Sequence, residues 1–167
     1  AGAARFADMG AAVDEVSIPM HLAGPAIWTP IALEGLTQTM MLGDGYGVSR
    51  QDLYATALMD FHHNWREKAD ALSESLKLTL MMGAYVDKTA GKRFYGKAVN
   101  LSYSLRAAYD AVLADYDLIL LPTLPVKATP LPSAEDDWNF YIDRAFEMIG
   151  NPAPFNISHH PALSMPC

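Results

Sequence analysis

The sequence predicts a helix-rich α/β chain. Three observations carry this: helical spacing of apolar residues through the middle, a continuous apolar run from Leu118 to Leu121, and strand-like stretches near both ends. The run "LILL" directly follows the most periodic helix and stops at Pro122-Thr123. An unbroken apolar run of that length suits a strand buried on both faces, as in the middle of an α/β layer.

Each element has its own local reason. Ala3, Phe6 and Ala7 keep helical spacing, and Gly10 suits the C-terminal end of that helix. "AVDEVSIP" reads as a short strand with Val16 and Ile18 on one face. A helix follows Pro19, with Ile27, Trp28, Ile31, Leu36 and Met40 inward. Pro30 must start its main body or kink it. "GDGYGVS" is a glycine-rich loop, but no strand leads into it and no lysine follows, so it lacks the context of a phosphate cradle. Ser49 and Asp52 form a capping box for a helix that turns Leu53, Ala57, Phe61 and Trp65 to one side. Another helix begins near Asp70, with Leu72, Leu76, Leu80 and Gly83 along it, and "DKTAGKRF" is a polar turn.

"YGKAVNLSYSLRAAYDAVLADY" is the strongest helix, with a stripe of Leu101, Leu105, Ala108 and Val112. After the apolar run comes a stiff segment with four prolines between Pro122 and Pro132. Ser133 and Asp136 make a second capping box, for a helix whose apolar face is Trp138, Ile142, Ala145, Phe146 and Ile149. Gly150 ends it. The tail "NPAPFNISHHPALSMPC" is irregular until Ala162, where a strand begins. Residues 20–115 then form a helical block and residues 116–167 a strand-and-loop core segment of one domain. The first helix lacks a capping residue and the last strand lacks its turn, which predicts a fragment of a longer polypeptide.

Composition excludes several classes. The net charge of −7 and pI near 5.0 disfavour nucleic acid or an anionic membrane as partner, since both need clustered Lys and Arg. No apolar run approaches the length of a membrane span. One cysteine, Cys167, rules out an internal disulfide framework. With no signal-peptide pattern, a reducing, cytoplasmic location is the default.

No complete active site is legible from residue chemistry alone. His62-His63 and His159-His160 are adjacent pairs. Neighbours on a helix point about 100° apart, so His62 and His63 cannot chelate one metal together. No metal and no cofactor is expected. There is no G-x-S-x-G elbow, and "SESLK" misses the Ser-x-x-Lys spacing. Asp14-Glu15 and Asp136-Asp137 fit solvation or capping better than acid/base work. What stands out is polar residues among prolines just beyond the buried strand: Thr123, Asn151, Asn156 and Ser158. Ligands in open α/β layers sit beyond the carboxyl ends of strands. The plainer reading of Asn151 is a cap on the preceding helix end.

"AAYDAVLADYDLILLPTLPVKATPLP" followed by "NPAPFNISHHPALSMPC" resembles the C-terminal half of an amidase signature enzyme. "EGLTQTM", "DALSESLKL" and "YGKAVNLSYSLRAAYDAVL" are similar to the helical region of bacterial amidases of the nitrile-hydratase-associated type. The resemblance runs from about Val13 to the end. It departs at His159, where that family usually has glycine, and in lacking the glycine after the final proline.

The resemblance implies part of an α/β/α sandwich with a mixed central sheet. It implies hydrolysis of a linear carboxamide to carboxylic acid and ammonia through a Ser-cisSer-Lys acyl-enzyme mechanism, with the triad upstream. No catalytic residue then falls in this chain, and the fragment alone is expected to be inactive. Trp28, Thr123, Ile149 and Asn151 are the implied substrate-binding residues, with a small-molecule amide as partner and a homodimer as the full-length state. Two alternatives are an ammonia-generating component like that of the tRNA amidotransferases, and a noncatalytic α-rich binding or interaction module.

Overall fold

Helices carry most of the computed structural model, which describes residues 2–47, 53–133 and 135–166. The chain divides into two units: residues 1–28 with 100–167, and residues 29–99. The helices are α1 (Gly2–Asp8), α2 (Gly24–Glu34), α3 (Thr56–His63), α4 (Glu74–Ala90), α5 (Arg93–Leu113), α6 (Trp138–Phe146) and α7 (Pro152–Ser158). No strand occurs among the described residues. No helix among them is long and apolar enough to cross a membrane.

In the first unit, α1 ends as its sequence requires. Gly10 takes φ 93°, Gly10 N–H donates to Ala7 O, and Ala11 N–H donates to Phe6 O. This is the paired bonding of a Schellman ending, which satisfies carbonyls the helix leaves open. The core is built on α5 and α7. Leu105 and Tyr109 of α5 are 0% and 1% exposed, and Ala153, Pro154, Ile157 and Ser158 of α7 are buried with them. Gly24 admits the Pro154 ring. A Cβ there would lie 2.2 Å from Pro154 Cγ, so only glycine fits.

The buried residues of α7 correct the reading of 151–158 as irregular. Pro152 and Pro154 look like helix breakers. Both sit in the first turn, where the backbone N–H has no intrahelical partner to lose. The last helix before it also starts later than expected. Asp137, not Ser133, caps α6, accepting from Phe140 N–H at 2.8 Å. Ser133 and Asp136 do bond each other, with Asp136 accepting from Ser133 N–H at 2.6 Å, but they close a turn ahead of the helix.

The strand expectations differ most from the structure. Residues 13–18, 118–121 and 162–166 make no ladder. Leu118 and Leu120 are 56% and 48% exposed rather than buried on both faces. Composition suits a strand there, but a strand exists only where a neighbouring backbone takes up its N–H and C=O groups. None of the described residues supplies that neighbour.

In the second unit, α2 passes through Pro30 and continues as a π-helix over Gly35–Met41. Bonding from i to i+5 widens the turn and advances the inward face by one residue. Met41 is therefore buried and Met40 exposed, with Glu34 and Thr37 inward beside it, in place of the expected Met40. Gly83 of α4 packs on Thr37, and a Cβ at Gly83 would lie 2.1 Å from Thr37 Oγ1. Lys92 Nζ donates to Glu34 Oε2 and Asp87 Oδ1, each at 2.6 Å. These bonds and the two negative charges raise the Lys92 pKa against the opposing pull of desolvation.

The helix expected from Asp70 begins instead after Ser73, which caps α4 by accepting from Leu76 N–H. Residues Trp65–Ala71 form a 3₁₀ turn. The polar turn shrinks to Gly91 and Lys92 because α4 runs on through Ala90. The α3 stripe is only partly used. Leu53 and Phe61 are 94% and 75% exposed, while Trp65 is anchored by its indole N–H to Met41 O at 2.7 Å. The Ser49–Asp52 capping box lies outside the described residues.

Candidate functional site

Three parts of the first unit converge on one hydrogen-bonded chain. The 3₁₀ turn Pro19–Ala23 presents His21, α5 presents Tyr109, and the start of α7 presents Asn151. Tyr109 Oη lies 2.7 Å from His21 Nδ1. His21 Nε2 lies 3.2 Å from Asn151 Oδ1, and Asn151 Nδ2 donates to Pro122 O at 2.8 Å. Burial pushes the Tyr109 phenol up to about 12, because the phenolate would be stranded away from water. The hydroxyl therefore stays a donor across the physiological range.

Aromatic contacts hold these groups in place. Phe155 stacks on Tyr109 with ring centroids 4.9 Å apart, and the His160 ring meets Tyr109 edge-on at 5.4 Å. His160 is itself fixed at both nitrogens, to Ser158 Oγ and Asp110 Oδ1, each at 3.0 Å. Ser158, His160 and Asp110 together have the composition of a nucleophilic triad. Ser158 is 1% exposed, however, and its hydroxyl cannot reach a substrate. The arrangement orients His160 under Tyr109.

A cavity of about 1030 Å³ opens beside this chain of bonds. Its walls are mostly apolar, and Val16, Ile18, Leu118 and Leu120 line it together with His21 and Asn151. The two segments read as strands, 13–18 and 118–121, both line it. The volume is at the top of the range of about 300–1,000 Å³ typical of small-molecule sites. At its edge, Tyr116 donates to Asp14 at 3.2 Å. That bond, with the Asp14 charge, raises the Tyr116 pKa.

Of the four residues expected to bind substrate, Asn151 lines the cavity; Trp28, Thr123 and Ile149 do not. Asn151 makes no side-chain cap on a helix end. It ties the 3₁₀ turn to the loop after Leu121 instead. Thr123 is exposed, its hydroxyl 2.9 Å from Ser164 Oγ. Ile149 is half-buried in the 3₁₀ turn before Gly150, and Trp28 is half-buried in α2. His159 takes φ 61° at the end of α7. The position where the resemblance expects glycine thus has the left-handed backbone that favours glycine.

The histidine pairs go to separate partners. His62 Nε2 contacts Met40 O at 2.9 Å, and His63 Nδ1 contacts Asp44 Oδ2 at 2.6 Å. Among the described residues no group of three His, Cys, Asp or Glu is placed to hold a metal. Sequence reasoning missed His21 and Tyr109. The available signal was a tyrosine four residues after Leu105, on the buried stripe of α5.

Comparison with known proteins gives this geometry its context. The Amidase family profile matches residues 3–167. The chain belongs to the amidase family. A Rhodococcus erythropolis protein named "Uncharacterized protein in nthA 5'region" is 43% identical over 141 residues, covering 84% of this chain and 71% of that protein. The enantioselective amidase of Rhodococcus rhodochrous is 40% identical over 152 residues, covering 90% of this chain and 29% of the relative. A glutamyl-tRNA(Gln) amidotransferase component of Lysinibacillus sphaericus is 29% identical over 164 residues, 95% of this chain and 32% of that relative. The chain thus spans about a third or less of the enantioselective amidase and of the amidotransferase component. Within the amidase family, the described geometry supplies a cavity wall and a clamped loop.

Proposed function

We propose that this chain is the C-terminal portion of an amidase that hydrolyses a linear carboxamide to its acid and ammonia. The observation that carries the reading is the 40% identity to an enantioselective amidase across 90% of the chain. Identity to the amidotransferase component is lower, 29%, which favours the hydrolase over the ammonia-generating role.

In this reading the nucleophile is a serine activated by a second serine and a neutral lysine, all upstream. It attacks the amide carbonyl, ammonia leaves, and water cleaves the acyl-enzyme. Backbone N–H groups stabilise the oxyanion. The present chain contributes the acyl-pocket wall around Thr123 and Asn151, with Trp28 and Ile149 behind it. Residues 118–121 join a mixed sheet whose other strands come from the upstream half. The full-length enzyme is a cytoplasmic homodimer.

The test is an assay of the full-length parent on a panel of aliphatic and aromatic amides, with its upstream nucleophilic serine replaced as control. Ammonia release that vanishes in the control supports the reading. Release confined to glutamine in the presence of charged tRNA favours the amidotransferase role, and no release from any amide favours a noncatalytic module. The chain by itself is expected to release none.

A further inference from the structure

The loop from Pro122 to Pro125 has no secondary structure of its own, yet it is gripped at three points. Asn151 Nδ2 holds the Pro122 carbonyl at 2.8 Å. Ser164 Oγ holds the Thr123 hydroxyl at 2.9 Å. The Pro125 ring rests against Gly150, where a Cβ would lie 3.2 Å from Pro125 Cγ. Two of these grips come from adjacent residues, Gly150 and Asn151, at the head of α7.

The first grip has a fixed direction. The Pro122 carbonyl only accepts, so the NH₂ of Asn151 must face it and the amide oxygen must face His21. That oxygen also only accepts, so His21 carries its proton on Nε2. In the neutral ring Nδ1 is then an acceptor, and Tyr109 must donate to it. Proton donation thus runs one way, from the Tyr109 hydroxyl through His21 and Asn151 to Pro122. Each bond polarises the next. Tyr109 is 1% exposed, so water does not compete for its end of the chain. His21, Asn151 and Pro122 all line the cavity.

We propose that His21, Tyr109 and Asn151 are positioning residues, whose directed hydrogen bonds set the Pro122–Thr123 wall of the acyl pocket. This rests on the amidase reading above. None of the three touches the reacting atoms. The Pro122 carbonyl fixes the Asn151 amide and through it the His21 tautomer, while buried Tyr109 anchors His21, His21 anchors Asn151, and Asn151 holds the loop.

Two variants of the full-length parent test it. Asn151→Asp keeps the shape and still accepts from His21, but places a carboxylate oxygen against the Pro122 carbonyl. Tyr109→Phe removes only the initiating hydroxyl. Each is expected to lower kcat/KM about ten-fold, mostly through KM, as the loss of one hydrogen bond of the chain implies. The double variant should lose little more than the worse single one, because both break one chain. Imidazole ¹⁵N spectra give a readout independent of turnover: His21 should be the Nε2–H tautomer in the parent and remain so in Tyr109→Phe, because the Asn151 oxygen still accepts from Nε2–H, with the Nδ1 resonance shifted by loss of the Tyr109 donor. An Nδ1–H His21 in the parent overturns the proposal, as does kcat/KM within two-fold of the parent in both variants. A parent inert toward every amide but with Nε2–H His21 overturns the amide reading and supports the directed chain.

Discussion

Replacing Gly83 by alanine sets two opposing effects against each other. In an α-helix interior, alanine over glycine stabilises by about 1 kcal/mol. Here the added Cβ would lie 2.1 Å from Thr37 Oγ1, 2.8 Å from Thr37 Cβ and 3.0 Å from Leu33 O. The carbonyl is backbone, and the β-branched threonine is stiff at χ1 in a helix. Neither can swing aside as a long flexible side chain would. The overpacking cost therefore falls at the upper end of the usual range, about 3 kcal/mol, and the net loss is about 2 kcal/mol. For a chain of this size that lowers the unfolding midpoint by about 4–8 °C.

Calorimetry and urea titration of the purified protein measure it, together with Thr37→Ala and the double variant. The Thr37 hydroxyl is buried without a hydrogen-bond partner, so Thr37→Ala alone should be close to neutral. In the double variant it should restore about 1 kcal/mol, since the closest clash is gone. A Gly83→Ala protein more stable than the parent would refute the reasoning, by putting helix propensity above packing at this contact.

The remaining expectations concern the first unit. The Tyr109 phenol is raised from 10.0 to about 12 in the fold. Its contribution is fully present below pH 10 and fades as pH rises toward 12, a loss of about 2–3 kcal/mol. Urea titrations across that window should show the decline, and Tyr109→Phe should flatten it; an equal decline in the variant would rule Tyr109 out as the cause. His159 holds a left-handed φ of 61°, so His159→Gly should stabilise by about 1 kcal/mol, read as a higher melting midpoint, and a lower midpoint would contradict the strain argument. Leu105 is 0% exposed, so Leu105→Ala should cost about 2–5 kcal/mol; a loss under about 1 kcal/mol would mean that the core collapses around the void.

Local chemistry was legible wherever it acts within a few residues. The Schellman ending at Gly10, the buried Leu105 of α5 and the Ser133–Asp136 bond all follow from short-range spacing. Family membership was legible too, through motifs that extend along the chain. The misses come from local register shifts and from dependence on a distant partner. Met41 replaces Met40 because a π-turn shifts the register. Pro152 and Pro154 are helical because they fall in a first turn packed on Gly24, far away in sequence.

The candidate site divides in the same way. Asn151 and Thr123 stood out as polar residues among prolines, and the structure places both on the loop grip. His21 carries no local signal, because its role depends on Tyr109 and Asn151, which lie 88 and 130 residues away along the chain. The sequence by itself determined the glycine ending of α1, the long helix α5 and the amidase family, since each is encoded in neighbouring residues or in motifs. Only the tertiary structure decided which apolar faces are buried and which polar atoms meet. A hydrogen bond's partner, and a strand's neighbour, lie across space rather than along the chain.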